Sequence, residues 1–202
     1  MSKNNNLRPA VFIDRDGTLN KVLYDKEGRE ESPFRPEDLV LLPGAGEFTR
    51  KVREAGYLAV LATNQPGVAK GKVTIAGLDR VHQHLLELLA QDGGGLDEIC
   101  YCPHHPVGVA GVPPDFVRVC ECRKPAPGML VKAAGELEID LARSWMVGDK
   151  WLDVKAGQAA GCRTILLPAP AVTTTPPSPD PVEPTAFANN LHEALRIILG
   201  KS

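Results

Sequence analysis

The chain has 202 residues, 43% hydrophobic and 24% charged, which is enough apolar material for a packed core and a size suited to a single domain spanning 1–202. Its 23 basic and 25 acidic side chains leave a formal charge of −2, which excludes a nucleic-acid binder held by bulk charge. No apolar run reaches the roughly 18 residues of a membrane span, and the polar start MSKNNNLRPA lacks a secretory signal. A cytoplasmic monomer with no membrane or nucleic-acid partner is the expectation.

In chain order, Ala10–Asp14 (AVFID) is a short buried strand, and helical spacing over Ala45–Ala55 ends at Gly56. Tyr57–Thr63 is a second buried strand. Thr74–Gln91 follows as a long amphipathic helix with Leu78, Val81, Leu85, Leu88 and Leu89 on one stripe, and its His82 and His84 are expected to be exposed or half-buried. Leu96–Cys100 reads as a third strand, with Cys100 in the core. Pro127–Glu138 is a helix with proline in its first turn, where the missing N–H costs little. Strand Trp145–Val147, helix Leu152–Ala160, strand Arg163–Leu167 and helix Leu191–Leu199 complete the pattern, and Cys162 is read as a core cysteine. Short apolar strands alternating with helices predict an α/β fold: a Rossmann-like, mostly parallel sheet covered on both faces.

Two proline clusters interrupt this order. One, at about 168–186, is read as an extended surface segment leading to the last helix. The other coincides with four cysteines in a loop at about 100–124. There Cys102-x-His104 and Cys120-x-Cys122 stand fifteen residues apart, a spacing that suits a closed tetrahedral Zn²⁺ site, structural in role. The rival reading of that quartet is reduced thiols packed as small hydrophobes. His105 is assigned to the cleft or to solvent.

Ligands of open α/β sheets bind beyond the carboxyl ends of the strands. Three strands here end in polar clusters: Asp14-Arg15-Asp16-Gly17-Thr18, Thr63-Asn64-Gln65 and Gly148-Asp149-Lys150. Any one aspartate could be a turn or helix cap. Three carboxylates converging on one edge repel each other unless a cation sits among them, and oxygen ligands favour Mg²⁺. Asp14 and Asp16, two apart, point to the same side, which suits one as nucleophile and the other as acid and base.

DRDGT after an apolar strand resembles the first signature of the haloacid dehalogenase superfamily of phosphohydrolases. Thr63, Lys124 in CRKPAPGM and Gly148-Asp149 match its second, third and fourth. The resemblance implies that Asp14 is the nucleophile and Asp16 the general acid/base, with Thr63 and Lys124 holding the phosphoryl group. It also implies Mg²⁺ on Asp14, the Asp16 backbone carbonyl and Asp149, with Asp153 an undecided further ligand.

Within that superfamily, CPHHP…CECRKPAPGM, FIDRDGTLN, TNQPGVAKG and MVGDKWLD resemble the zinc-containing heptose 1,7-bisphosphate 7-phosphatases and, next, the histidinol-phosphate phosphatases. This implies a sugar-phosphate substrate met by Asn64, Gln65, Arg123 and Lys150, without a large cap domain. The chain departs from the heptose pattern after DRDGTLN, where KVLYDKEGREESPFRPEDL replaces a histidine-containing segment. Histidinol phosphate is the alternative substrate, and a zinc-loop binding module on an inactive scaffold the alternative class.

Overall fold

A computed structural model of the protein describes residues 7–168 and 182–201. Strand β1 (Ala10–Ile13) is buried along its whole length at the middle of a six-stranded sheet. On one side lie β4 (Leu58–Asn64) and then β5 (Glu98–Cys102); on the other lie β6 (Trp145–Gly148), β7 (Arg163–Leu166) and β8 (Ala186–Phe187). Every pairing is parallel, with Phe12 opposite both Val60 and Met146. A strand buried on both faces has no need of a polar alternation, hence the continuous apolar runs.

The pleat divides β1 between two cores. Val11 and Ile13 face a layer with Phe48 and Val52 of α1 (Ala45–Glu54), Leu85 of α2 (Ile75–Gln91) and Leu195 of α5 (Leu191–Ile198). Ala10 and Phe12 face Met129, Leu130 and Ala133 of α3 (Gly128–Glu136). Helix α4 (Trp151–Ala159) packs on β6 and β7. Local chemistry sets the helix starts: the Thr74 hydroxyl accepts the Gly77 N–H at 3.1 Å and Asn190 accepts that of Glu193 at 2.9 Å.

The predicted fold class holds, with no large cap among the described residues; a short antiparallel hairpin, β2 (Leu23–Tyr24) with β3 (Glu30–Glu31), follows the first motif instead. Three local readings are corrected. The third strand runs from Glu98 to Cys102, two residues later than expected, because Asp97 caps β4: its carboxylate accepts the Ala59 N–H at 2.8 Å. Most of the proline-rich stretch lies outside the described residues, but its end is a strand, Ala186 pairing with Ile165. His82 is buried, 4% exposed, its ring 5.1 Å from that of Tyr101. Burial and the nearby Arg15 charge push its pKa down to about 3.

Candidate active site

Chain order reverses at β1, so the carboxyl ends of β1, β4 and β6 open onto one crevice. Asp14 and Asp16 leave β1 there, Thr63 and Asn64 end β4, and Asp149 follows β6. Asp14, Asp16, Thr63, Asn64, Arg123 and Lys124 line a single pocket of about 230 Å³, with Lys150 at its side. Residues from four distant stretches of chain meet because the sheet brings their strand ends together.

Lys124 is buried and its ammonium has three partners: Asp14 Oδ1 at 2.8 Å, Asp153 Oδ1 at 2.5 Å and the Ala62 carbonyl at 2.6 Å. Burial alone would lower its pKa, but the two carboxylates win and hold it above the ordinary lysine value. Asn64 fixes the backbone of that lysine in both directions, its amide donating to the Lys124 carbonyl and accepting the Lys124 N–H, each at 3.0 Å.

Asp16 has its own set of donors. Arg15, wholly buried, donates through Nε to Oδ1 at 3.0 Å and through Nη2 to Oδ2 at 3.1 Å. Asn20 Nδ2 adds a bond at 3.0 Å, Gln65 Nε2 one at 2.8 Å and the Ser32 hydroxyl one at 2.8 Å. Burial pushes this carboxyl up, yet the Arg15 charge and these bonds outweigh it and leave the pKa below the usual carboxylate range. Gln65, expected on the substrate, has its amide on Asp16, Thr63 (3.0 Å) and Arg15 (3.0 Å). Arg15, Asn20 and Ser32 were not foreseen. A cation between paired carboxylates, as in Asp14-Arg15-Asp16, is the signal that marks the arginine.

The third acidic group is the opposite of Asp16. Both oxygens of Asp149 are buried without a hydrogen-bond partner, and the residue is 3% exposed. Burial first, then the Asp14 charge, pushes its pKa up to about 8. One oxygen each from Asp14, Asp149 and Asp153 lies within 4.8 Å of the others. Gly17, at φ +88°, leaves the room for this packing: a Cβ there would overlap Asp149 Oδ2. An orphaned, desolvated carboxylate among others fits a hard divalent cation such as Mg²⁺.

The cysteine quartet also comes together. The sulfurs of Cys102, Cys120 and Cys122 are 3.2–3.5 Å apart, and His104 Nδ1 lies 3.2 Å from Cys122 and 3.5 Å from Cys102. These separations approach the edge of about 3.8 Å that Zn–S bonds of about 2.3 Å give a tetrahedron. Burial raises the Cys102 thiol, whereas at Cys120 hydrogen bonds from Cys122 and Cys102 outweigh burial and bring it down. Arg123, next to the quartet, donates to the His104 carbonyl at 3.2 Å, so the loop fixes one wall of the pocket.

A HAD-hydrolase-like family model matches residues 121–194. The D-glycero-beta-D-manno-heptose-1,7-bisphosphate 7-phosphatase of Salmonella typhi is 41% identical over 159 residues, 79% of each chain. The corresponding heptose 1,7-bisphosphate 7-phosphatase of Thermosynechococcus vestitus is 42% identical over 162 residues, again 79% of each. This chain belongs to the heptose 1,7-bisphosphate phosphatase family. A structure of the D,D-heptose 1,7-bisphosphate phosphatase from B. bronchiseptica, complexed with magnesium and phosphate, matches with a TM-score of 0.78 and 31% identity over 96% of this chain and 99% of that one. The relatives are named as phosphatases, and this chain is one of them by family.

Proposed function

We propose that this phosphatase hydrolyses the 7-phosphate of D-glycero-D-manno-heptose 1,7-bisphosphate. One observation carries the reading: Asp14, ion-paired to Lys124, and Asp16 open together into the pocket lined by Thr63 and Arg123. An Asp14 oxygen attacks phosphorus, the bond to the sugar oxygen breaks, and an aspartyl phosphate forms as Asp16 gives the leaving oxygen its proton. Asp16 then takes a proton from water, which attacks phosphorus and releases phosphate, restoring Asp14. Thr63 and Lys124 hold the phosphoryl oxygens, and Lys124 offsets the charge that builds on them.

The donors around Asp16 favour its ionised form, which suits the second half of the reaction. Mg²⁺ held by Asp14, Asp149 and the Asp16 backbone carbonyl would offset the clustered carboxylates and draw electron density from the phosphoryl group. Asp153 serves Lys124 directly. Zn²⁺ on Cys102, His104, Cys120 and Cys122 would fold the loop that carries Arg123, which receives the second phosphate; Lys150 and Asn64 lie beside the sugar. The reduced thiols this requires suit a cytoplasmic address. Among the described residues no helix is long and apolar enough to cross a membrane.

Phosphate release from heptose 1,7-bisphosphate, histidinol phosphate and fructose 1,6-bisphosphate, assayed side by side with Mg²⁺, tests the reading. The heptose substrate is expected to give the highest kcat/KM by at least tenfold. Equal rates on all three, or a preference for histidinol phosphate, would overturn the assignment.

A further inference from the structure

The outer wall of the pocket comes from the hairpin that follows the first motif. Hairpin β2–β3 pairs Leu23 with Glu31 and Tyr24 with Glu30, and both glutamates line the pocket that holds Asp14 and Asp16. Each is fixed by a lysine from a different element. Glu30 lies 2.8 Å from Lys150 Nζ, at the start of α4, and Glu31 pairs with Lys72 on the connection from β4 to α2. Below them Phe34 packs under the Lys72 ammonium, 5.8 Å from its ring centre, and against Gly67, where a Cβ would overlap the ring. The hairpin is therefore tied to both flanks of the site, and through Ser32 to Asp16 on its floor.

Two carboxylates held in this way have a definite chemistry. They accept hydroxyl hydrogens in charge-assisted bonds and repel an anion placed against them. The ammonium partners hold the carboxylates in place without closing off their remaining lone pairs, since an ionised carboxylate offers about four acceptor sites. Lys124 and Arg123, lining the same pocket, are the cations placed for phosphate oxygens.

We propose that Glu30 and Glu31 are specificity-determining residues that accept the hydroxyls of the leaving alcohol, so the site selects polyhydroxylated phosphoesters. The proposal rests on the sugar-phosphate reading above. The wall then sets substrate direction: reacting phosphate at Asp14, hydroxyl chain along the hairpin, second phosphate toward Arg123.

The test measures kcat/KM for heptose 1,7-bisphosphate, fructose 1,6-bisphosphate, histidinol phosphate and p-nitrophenyl phosphate, the last lacking any hydroxyl. The proteins are the wild type, Glu30→Gln, Glu31→Gln and the double variant Glu30→Ala/Glu31→Ala. The readout is the ratio of each sugar to p-nitrophenyl phosphate within one preparation, which is insensitive to the fraction of folded protein. The double alanine variant is expected to lower that ratio at least tenfold. The glutamine variants should lower it two- to fivefold, because an amide oxygen still accepts a hydroxyl. An unchanged ratio overturns the proposal. So does a glutamine loss as large as the alanine loss coupled to a wild-type preference for histidinol phosphate, which would make the wall a binder of an amine. Wild-type rates alone judge the heptose assignment, and if heptose and fructose bisphosphates prove equal, the ratio is read from either sugar.

Discussion

Arg15 grips the carboxylate of its chain neighbour Asp16 in a two-pronged contact, Nε to Oδ1 at 3.0 Å and Nη2 to Oδ2 at 3.1 Å, with the arginine wholly buried. A planar fork matched to a carboxylate sets the orientation of the acid/base group as well as its charge. Arg15→Met would leave a buried carboxylate without its counter-charge, a loss of about 3–5 kcal/mol for a broken buried pair. The expected outcome is a Tm lower by several degrees in calorimetry and kcat down at least tenfold. Arg15→Lys should restore part of the stability but not the rate, because an ammonium cannot span both oxygens.

The Asp149 carboxyl predicts how stability responds to pH and metal. Its pKa in the folded chain is pushed up to about 8, and that of Asp153 to about 6, both chiefly by burial. Between an unfolded value of about 4 and these values, the folded chain keeps protons that the unfolded chain releases. Metal-free protein should therefore lose stability as pH rises from about 4 to about 8. A bound divalent cation favours the ionised form, so the Tm gain on adding Mg²⁺ should be larger at pH 8 than at pH 5.5. Thermal melts at both pH values, with and without Mg²⁺, check this; equal gains would contradict it.

Gly17 offers a sharper steric test. Its φ of +88° costs an L-residue about 1–2 kcal/mol, and a methyl group would drive Asp149 from its position. Gly17→Ala is expected to weaken Mg²⁺ binding at least tenfold, read by isothermal titration, and to abolish most turnover at ordinary Mg²⁺ concentrations.

Much of this was legible from residues alone. The strand ends carrying Asp14, Thr63 and Asp149 are short apolar runs closed by polar residues, and local pattern suffices to find such features. The cysteine spacing was legible for the same reason. What was hidden depends on three-dimensional neighbours. Asp97 shifts β5 by capping β4, a contact between residues 38 apart. Ala186 and Phe187 pair with the edge of β7 as a strand of two residues, too short a run to stand out beside the prolines before it. His82 occupies a position beside the apolar stripe of α2 that Tyr101 of β5 covers, and a polar residue gives no warning of that. Gln65 and Ser32 reach Asp16 across folds of the chain, so their tie to it could not be read from spacing.

The metal loop yields a prediction of composition. Purified protein should contain one Zn²⁺ per chain by elemental analysis, and Cys120→Ser should lose it. Because Arg123 is braced on the His104 carbonyl, that variant should raise KM for the bisphosphate more than it lowers kcat. Full zinc occupancy in Cys120→Ser would contradict the assignment.

The central claim is that Asp14 becomes covalently bonded to phosphorus. Acid-quenching the enzyme in mid-turnover and reducing it with borohydride converts an aspartyl phosphate to an alcohol, which peptide mass mapping locates. The expected result is a reduced side chain at residue 14, absent without substrate and absent in Asp14→Asn. Reduction at Asp16 or Asp149 instead, or turnover that persists in Asp14→Asn, would contradict the account.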